Sequence, residues 1–244
     1  MGEVTALLFD TANAQTFVHA FGFIGDHPGF LAHKALQQLE LAGAALAIGA
    51  AVALPLGIVL GHLHRGSTVA IGASIVGRAL PSILLIAVFV TALGIGFVNN
   101  MIALAVLATG PLLTNAYEGV DGVERDVTDA ARGMGMSSRQ ILARVELPLA
   151  VPLLFTGIRV AAVTVVATAP IAAIAGGGGL GDVIVNQASY RLEGVLAACY
   201  CVMALSAGVW ILLLALQRAM TPRPLRLRRV PGVDASLSRK ESSS

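Results

Sequence analysis

Apolar residues occur along this chain in long blocks separated by short polar runs. Crossing a bilayer as a helix takes about 20 apolar residues, and five blocks reach that length. They are residues 39–61 (LELAGAALAIGAAVALPLGIVLG), about 69–95 (containing RALPSILLIAVFVTALGIG), about 100–117 (NMIALAVLATGPLLTNAY), about 149–175 (LAVPLLFTGIRVAAVTVVATAPIAAIA) and 195–217 (VLAACYCVMALSAGVWILLLALQ). The pattern predicts an all-α polytopic membrane protein with five spans, its transmembrane domain covering residues 39–217. Residues 1–38 mix short apolar pieces with Asp10, His19, Asp26 and His27 and a DHPG break. They read as an extracytoplasmic segment, surface-lying or loosely ordered. Residues 218–244 form a basic tail, rich in Pro, Arg and Ser and without helical period. The tail reads as disordered, with its basic part held near anionic headgroups.

The first four blocks each carry an interior proline: Pro55, Pro81, Pro111 and Pro170. Each removes a backbone donor and bends its helix, which membranes tolerate where neighbours or a watery cavity satisfy the freed carbonyl. Four such positions suggest a bundle that flexes or lines a path, against ordinary kinking in a static bundle. The fourth block also carries a stripe of small and hydroxylated residues, Gly157, Ala161, Thr164, Thr168 and Ala172. Their spacing of three to four places them on one helix face. Such a stripe serves a dimer seam or a translocation wall, or plain helix packing within one subunit, and the spacing does not separate these.

Composition agrees with the pattern: 56% of residues are hydrophobic and 12% charged, with mean hydropathy +0.81, where soluble domains are about one quarter charged. A net charge of +2 without interleaved basic and aromatic residues argues against a nucleic-acid partner. No Lys or Arg precedes Lys34, so the basic start of a secretion signal is missing. The basic residues set the orientation. Arg65, Arg125, Arg132, Arg139, Arg144, Arg218, Arg223, Arg226, Arg228, Arg229, Arg239 and Lys240 fall on one side of the five spans, and Lys34 and Arg191 on the other. The asymmetry predicts a multi-pass protein of the cell membrane with its N-terminus outside and its C-terminus in the cytoplasm. The polar loop 118–148 is then cytoplasmic. Cys199 and Cys201, two residues apart on a helix, point to opposite sides and read as packing residues.

That loop contains DAARGMGMSSRQILARVELPLA, residues 129–150. Asp126 or Thr128 can cap a helix whose first turn is acidic. Gly133, Met134 and Gly135 end or turn it, and Ser137 with Gln140 fits a capping box for a second short helix. That helix turns Ile141, Leu142 and Val145 to one side, and Pro148 breaks the line before the fourth span. Small side chains permit close approach of a partner, and methionines fill irregular grooves on it.

The loop resembles the signature of ABC importer permeases, the inner-membrane components of binding-protein-dependent transport. The resemblance is carried by Asp129, Ala130, Ala131, Gly135, Val145, Glu146, Leu147 and Pro148; the family more often has Glu where Asp129 stands. LPLGIVLGH, RALPSILLIAVFVTALGIG, AARGMGMSS and GIRVAAVTVVATAPIAAIAGGGGLGD are similar to the osmoprotectant branch for glycine betaine, choline or carnitine, over about residues 33–217. The resemblance implies a five-helix type I importer permease core with a cytoplasmic coupling helix. Asp129, Ala130, Ala131, Gly133, Met134, Gly135 and Met136 would then meet a cytoplasmic ATPase subunit. It further implies an extracytoplasmic substrate-binding protein, docking near residues 176–194, and a second permease copy or paralogue. The substrate path would take Arg78, Pro81, Ser82, Thr164 and Thr168. Arg78 and Ala79 before Pro81 depart from the family's pattern, so a cation there could alter substrate preference.

GGGGLG, residues 176–181, matches a dinucleotide-binding spacing only formally, because it follows an apolar span and lacks a following Lys-Ser/Thr. It reads as a flexible external turn or gate loop. His62 and His64, without Cys or acidic companions nearby in sequence, read as interfacial and not as a metal site. Arg78 and Arg159, costly deep in lipid, read as snorkelling to the cytoplasmic edge. Catalytic and ATPase motifs are missing from the sequence, so no enzyme, cofactor or metal is expected in this chain. An ion-coupled transporter or channel working without an ATPase would carry acids deep in its spans; Glu40, at the edge of the first, is the only acid in any of them.

Overall fold

A computed structural model describes residues 11–64, 72 and 81–220. Arg65, Arg78 and Ala79, most of the first half of the second block, residues 1–10 and the tail from residue 221 lie outside the described residues. The described chain is helical, without a strand. In order it forms α1 (Thr11–Asp26), α2 (Pro28–His62), α3 (Ser82–Leu93), α4 (Phe97–Asp121), α5 (Arg125–Gly133) and α6 (Ser138–Ile141). A π-helical turn (Leu142–Glu146), α7 (Leu147–Thr168), a 3-10 segment (Ala169–Ala175), α8 (Gly181–Val185) and α9 (Gln187–Met220) follow.

Among the described residues four helical stretches are long and apolar enough to span a membrane: Pro28–His62, Phe97–Asp121, Ser138–Ala175 and Gln187–Met220. The place of the remaining expected span is held by α3, apolar but only 12 residues long in its described part. The helices run beyond the apolar blocks they contain. The helix that holds the block 39–61 begins at Pro28, with proline in its first turn. Residues 11–26, read as surface-lying or loose, form α1, and its Phe21 stacks on Tyr200 of α9 with ring centroids 5.1 Å apart.

The core is α4, most of whose inner residues from Asn99 to Val120 are buried, packed between α2 and α7. Glycine makes this possible. A methyl at Gly57 would lie 2.6 Å from Ala116 Cβ and 2.7 Å from the Leu113 carbonyl; one at Gly61 would lie 2.8 Å from the Tyr117 carbonyl. Gly49 meets Ala105 and Ala108 in the same way. The register advances in the same direction on both helices, so α2 and α4 run parallel, as two spans separated by one crossing must. Against α7 the order reverses: Gly119 meets Ala150 and Leu153, and Gly157 meets Pro111 and Asn115. Thus α7 is antiparallel to α4.

The prolines behave unequally. Pro55 and Pro111 lie inside helices, Pro81 stands before α3 as its N-cap, and Pro170 opens the 3-10 segment. A further interior proline is Pro152 in α7, which the apolar pattern did not single out. Pro148 does not break the chain. It occupies the first turn of α7, where its missing N–H is no loss. The π-helical turn just before it, in which the Leu147 N–H bonds to the Leu142 carbonyl, carries the helix through.

Candidate functional site

The polar loop folds as a helix, a tight turn and a short helix. Glu124 is the N-cap of α5, in place of the expected Asp126 or Thr128; Asp126 lies in the first turn, where its charge suits the helix dipole. Thr128 is buried inside the helix, its hydroxyl donating to the Arg125 carbonyl at 2.8 Å. Gly135 ends α5 at φ +82°. The Gly135 N–H donates to the Arg132 carbonyl at 2.9 Å and the Met136 N–H to the Ala131 carbonyl at 3.2 Å. This pair of bonds is a Schellman motif, which needs a left-handed residue and hence favours glycine. The Ser137 N–H and hydroxyl then donate to Gln140 Oε1 at 2.8 and 3.2 Å, starting α6.

Of the seven expected coupling residues, Asp129, Ala130, Gly133, Met134 and Gly135 are exposed and Met136 is half-buried. Met134 is 72% exposed. Asp129 pairs with Arg132 at 2.7 Å on the open surface. Ala131 is buried, as are Thr128 and Ile141, on the side where the helix packs on α6 and the π-helical turn.

The structure adds residues that the sequence had left without a role. His62, at the end of α2, donates through Nδ1 to Glu146 Oε2 at 2.6 Å, and Glu146 is 1% exposed. His64 donates likewise to Asp121 at the end of α4, at 2.7 Å. Both histidines therefore have the acidic companions that were missing nearby in sequence. Each pair spans 57 or more residues, so local sequence carries no signal of either. Among the described residues no cluster of three metal-ligating side chains occurs. Glu146 closes the π-helical turn between α6 and α7, so the pair ties the root of the knuckle directly to α2.

The other candidates scatter. Arg78 lies outside the described residues. Pro81 and Ser82 start α3, which packs on α4 and the 3-10 segment. Thr164 and Thr168 are half-buried on α7, and the Thr164 hydroxyl donates to its own helix at Val160. Gly157, Ala161 and Ala172 of that stripe are buried, Gly157 directly against α4. Arg159 donates to Gln217, close to the end of α9, at 2.9 Å, and its guanidinium lies 5.7 Å above the Trp210 ring. At the far end from the knuckle, the glycine run is a held turn rather than a free one. Gly176, Gly178 and Gly179 adopt positive φ, Lys34 bonds to Asp182 at 2.6 Å, and the Gly96 N–H donates to the Ala175 carbonyl at 3.1 Å.

A bundle of long apolar helices from which one polar helix–turn–helix projects is the architecture of a multi-pass membrane protein. Residues 53–225 match the family of binding-protein-dependent transport system inner membrane components, and the chain belongs to that family. It is 32% identical over 205 residues to the choline transport system permease protein of Bacillus subtilis (strain 168), covering 84% of this chain and 94% of that one. It is 36% identical over 197 residues to the carnitine transport permease protein of Listeria monocytogenes, covering 80% and 90%. The fold is that of an inward-facing structure of the methionine ABC transporter MetNI, with TM-score 0.71 and 21% identity over 80% of this chain and 99% of that one. The chain is thus a multi-pass membrane permease component of an ABC importer and not itself an enzyme, ATP hydrolysis lying in a separate subunit.

Proposed function

We propose that this permease imports a quaternary ammonium osmoprotectant of the glycine betaine, choline or carnitine type. The exposed knuckle, Asp129, Ala130 and Gly133 to Met136, is the docking point of the ATPase subunit in the cytoplasm. The observation that carries this reading is a rigid, capped polar helix whose outer face is open while its inner face is locked by Thr128, Ala131 and Ile141. A rigid lever transmits a push; a floppy loop does not. The names of the relatives support the substrate class, and the distribution of basic residues supports an external N-terminus. Two copies, or this chain and a paralogue, enclose the path, with walls drawn from Arg78, Pro81, Ser82, Thr164 and Thr168. Moving a two-state gate almost completely from one side to the other takes about 5.5 kcal/mol, which ATP binding in the partner supplies.

The test is reconstitution with the ATPase and binding protein in proteoliposomes. Uptake of labelled glycine betaine, choline or carnitine should need both partners. It should fall at least tenfold in Asp129→Arg and in Gly135→Trp, with the permease still present in the membrane at normal amounts. Uptake that persists without the ATPase would turn the reading to an ion-coupled transporter.

A further inference from the structure

The end of the bundle opposite the knuckle carries a cavity, lined in part by the segment expected to meet the binding protein. It measures about 400 Å³ and is lined by Phe23, His27, Phe30, Tyr190, Arg191 and Glu193, among others. Its rings come from the end of α1, the entry to α2 and the start of α9. They are paired: Phe23 stacks on His27 at 4.6 Å between centroids, and Phe30 on Tyr190 at 5.6 Å. The helix α2, 35 residues long, separates this cavity from the His62–Glu146 pair by about 50 Å at 1.5 Å per residue.

Arg191 stands out. Its backbone adopts φ 57°, ψ 176° in the second turn of α9, a region that is almost the preserve of glycine and is strained for any other residue. Such strain persists only where surrounding structure imposes it, and it gathers at ligand clamps and switches. Here it kinks α9 at the cavity's rim. The lining therefore combines aromatic rings with one cationic and one anionic side chain. Aromatic rings attract quaternary ammonium groups through their negative faces, and a guanidinium binds a carboxylate in a fork of two hydrogen bonds. A lining with both signs of charge suits a solute with both, better than a simple cation.

We propose that this cavity is a receiving site for a zwitterionic quaternary ammonium solute, with Phe30 and Tyr190 taking the ammonium and Arg191 the carboxylate. The proposal rests on the substrate class and orientation given above and deepens them. Substrate released outside would pause here before the path opens, and carboxylate-bearing solutes would be favoured over choline.

The experiment uses the permease with its ATPase subunit, without binding protein, in nanodiscs of phosphatidylglycerol. Binding of labelled glycine betaine and of choline is measured at equilibrium. Saturable millimolar binding of glycine betaine is expected, at least tenfold weaker in Phe30→Leu and Tyr190→Leu and unchanged in Phe17→Leu on the exposed side of α1. Arg191→Gly should abolish the preference for glycine betaine over choline without lowering the thermal midpoint, because glycine accepts that backbone. Absence of saturable binding to the unsubstituted protein, or binding unaltered in all three cavity variants, overturns the proposal. A lipid headgroup of the phosphocholine type offers the same chemistry. Binding undiminished in phosphatidylcholine nanodiscs supports the free solute; binding abolished there assigns the cavity to lipid and overturns the proposal. ATP-driven uptake of glycine betaine by the complete system, with no binding in nanodiscs, sinks this inference alone. Uptake of no quaternary ammonium compound at all sinks the substrate reading as well.

Discussion

Glu146 and His62 are the pair on which the knuckle's attachment turns. Burying a carboxylate is costly unless it is bonded, and His62 supplies the bond at 2.6 Å. Removing one partner from a buried pair costs about 1–3 kcal/mol. Glu146→Ala should therefore lower the thermal midpoint of the purified complex. Glu146→Gln, whose amide oxygen still accepts from Nδ1, should lower it less. Transport should suffer beyond stability: ATP hydrolysed per solute imported should rise in Glu146→Ala and in His62→Ala, because the stroke then reaches α7 without being passed to α2. A ratio unchanged from the unsubstituted protein would leave the pair a packing feature only. In the sequence nothing near Glu146 hints that a residue 84 positions earlier meets it.

At the scale of elements, the parallel packing of α2 on α4 sets the stiffness of the core. Backbone approaches this close require glycine, and the position decides the effect. Gly57→Leu forces side-chain atoms into Ala116 and the Leu113 carbonyl. Overpacking of this kind costs about 1–3 kcal/mol or more and should reduce folded yield. Gly43→Ala in the same helix meets nothing within 4 Å. It should be neutral or stabilising by up to about 1 kcal/mol, since alanine loses less backbone entropy in a helix. Thermal unfolding of the two variants in detergent checks both. The capped turn at Gly133–Ser137 was readable beforehand because its signals are local: a glycine that must be left-handed and a Ser–Gln pair three apart. The course through Pro148 was not. A proline lacks a donor wherever it sits, and whether the chain breaks or passes through a π-helical turn depends on the bond that Leu142 can offer to Leu147.

For the whole molecule, α3 buries only Ile86, and α9 buries Gly194, Ala197 and Ala198. Most of their apolar surface is exposed. The orientation expected from the basic residues is directly measurable. In a chain with Cys199 and Cys201 replaced by alanine, Ser138→Cys should resist a membrane-impermeant maleimide in right-side-out vesicles and react in inside-out ones. The reverse result would place the knuckle outside and dismantle the proposed coupling. The ends of the helices differ from the ends of the apolar blocks for a physical reason. Hydropathy reports the stretch that tolerates lipid, whereas a helix continues as long as its backbone bonds and packing allow. Residues 28–38 are polar enough to fall below the first criterion and still satisfy the second.

The sequence by itself determined the helical class, four of its five apolar blocks as long apolar helices, the polar knuckle and its turn, because each follows from periodicity, length and the conformational demands of particular residues. It also carried the family, through a pattern of small and charged residues at set spacing. Tertiary structure alone decided which distant groups meet: His62 with Glu146, His64 with Asp121, Lys34 with Asp182, and Phe30 with Tyr190. Those partners lie 57 to more than 140 residues apart. Their meeting is set by how closely glycine-faced helices pack and by the direction in which each span crosses, quantities that no local stretch contains.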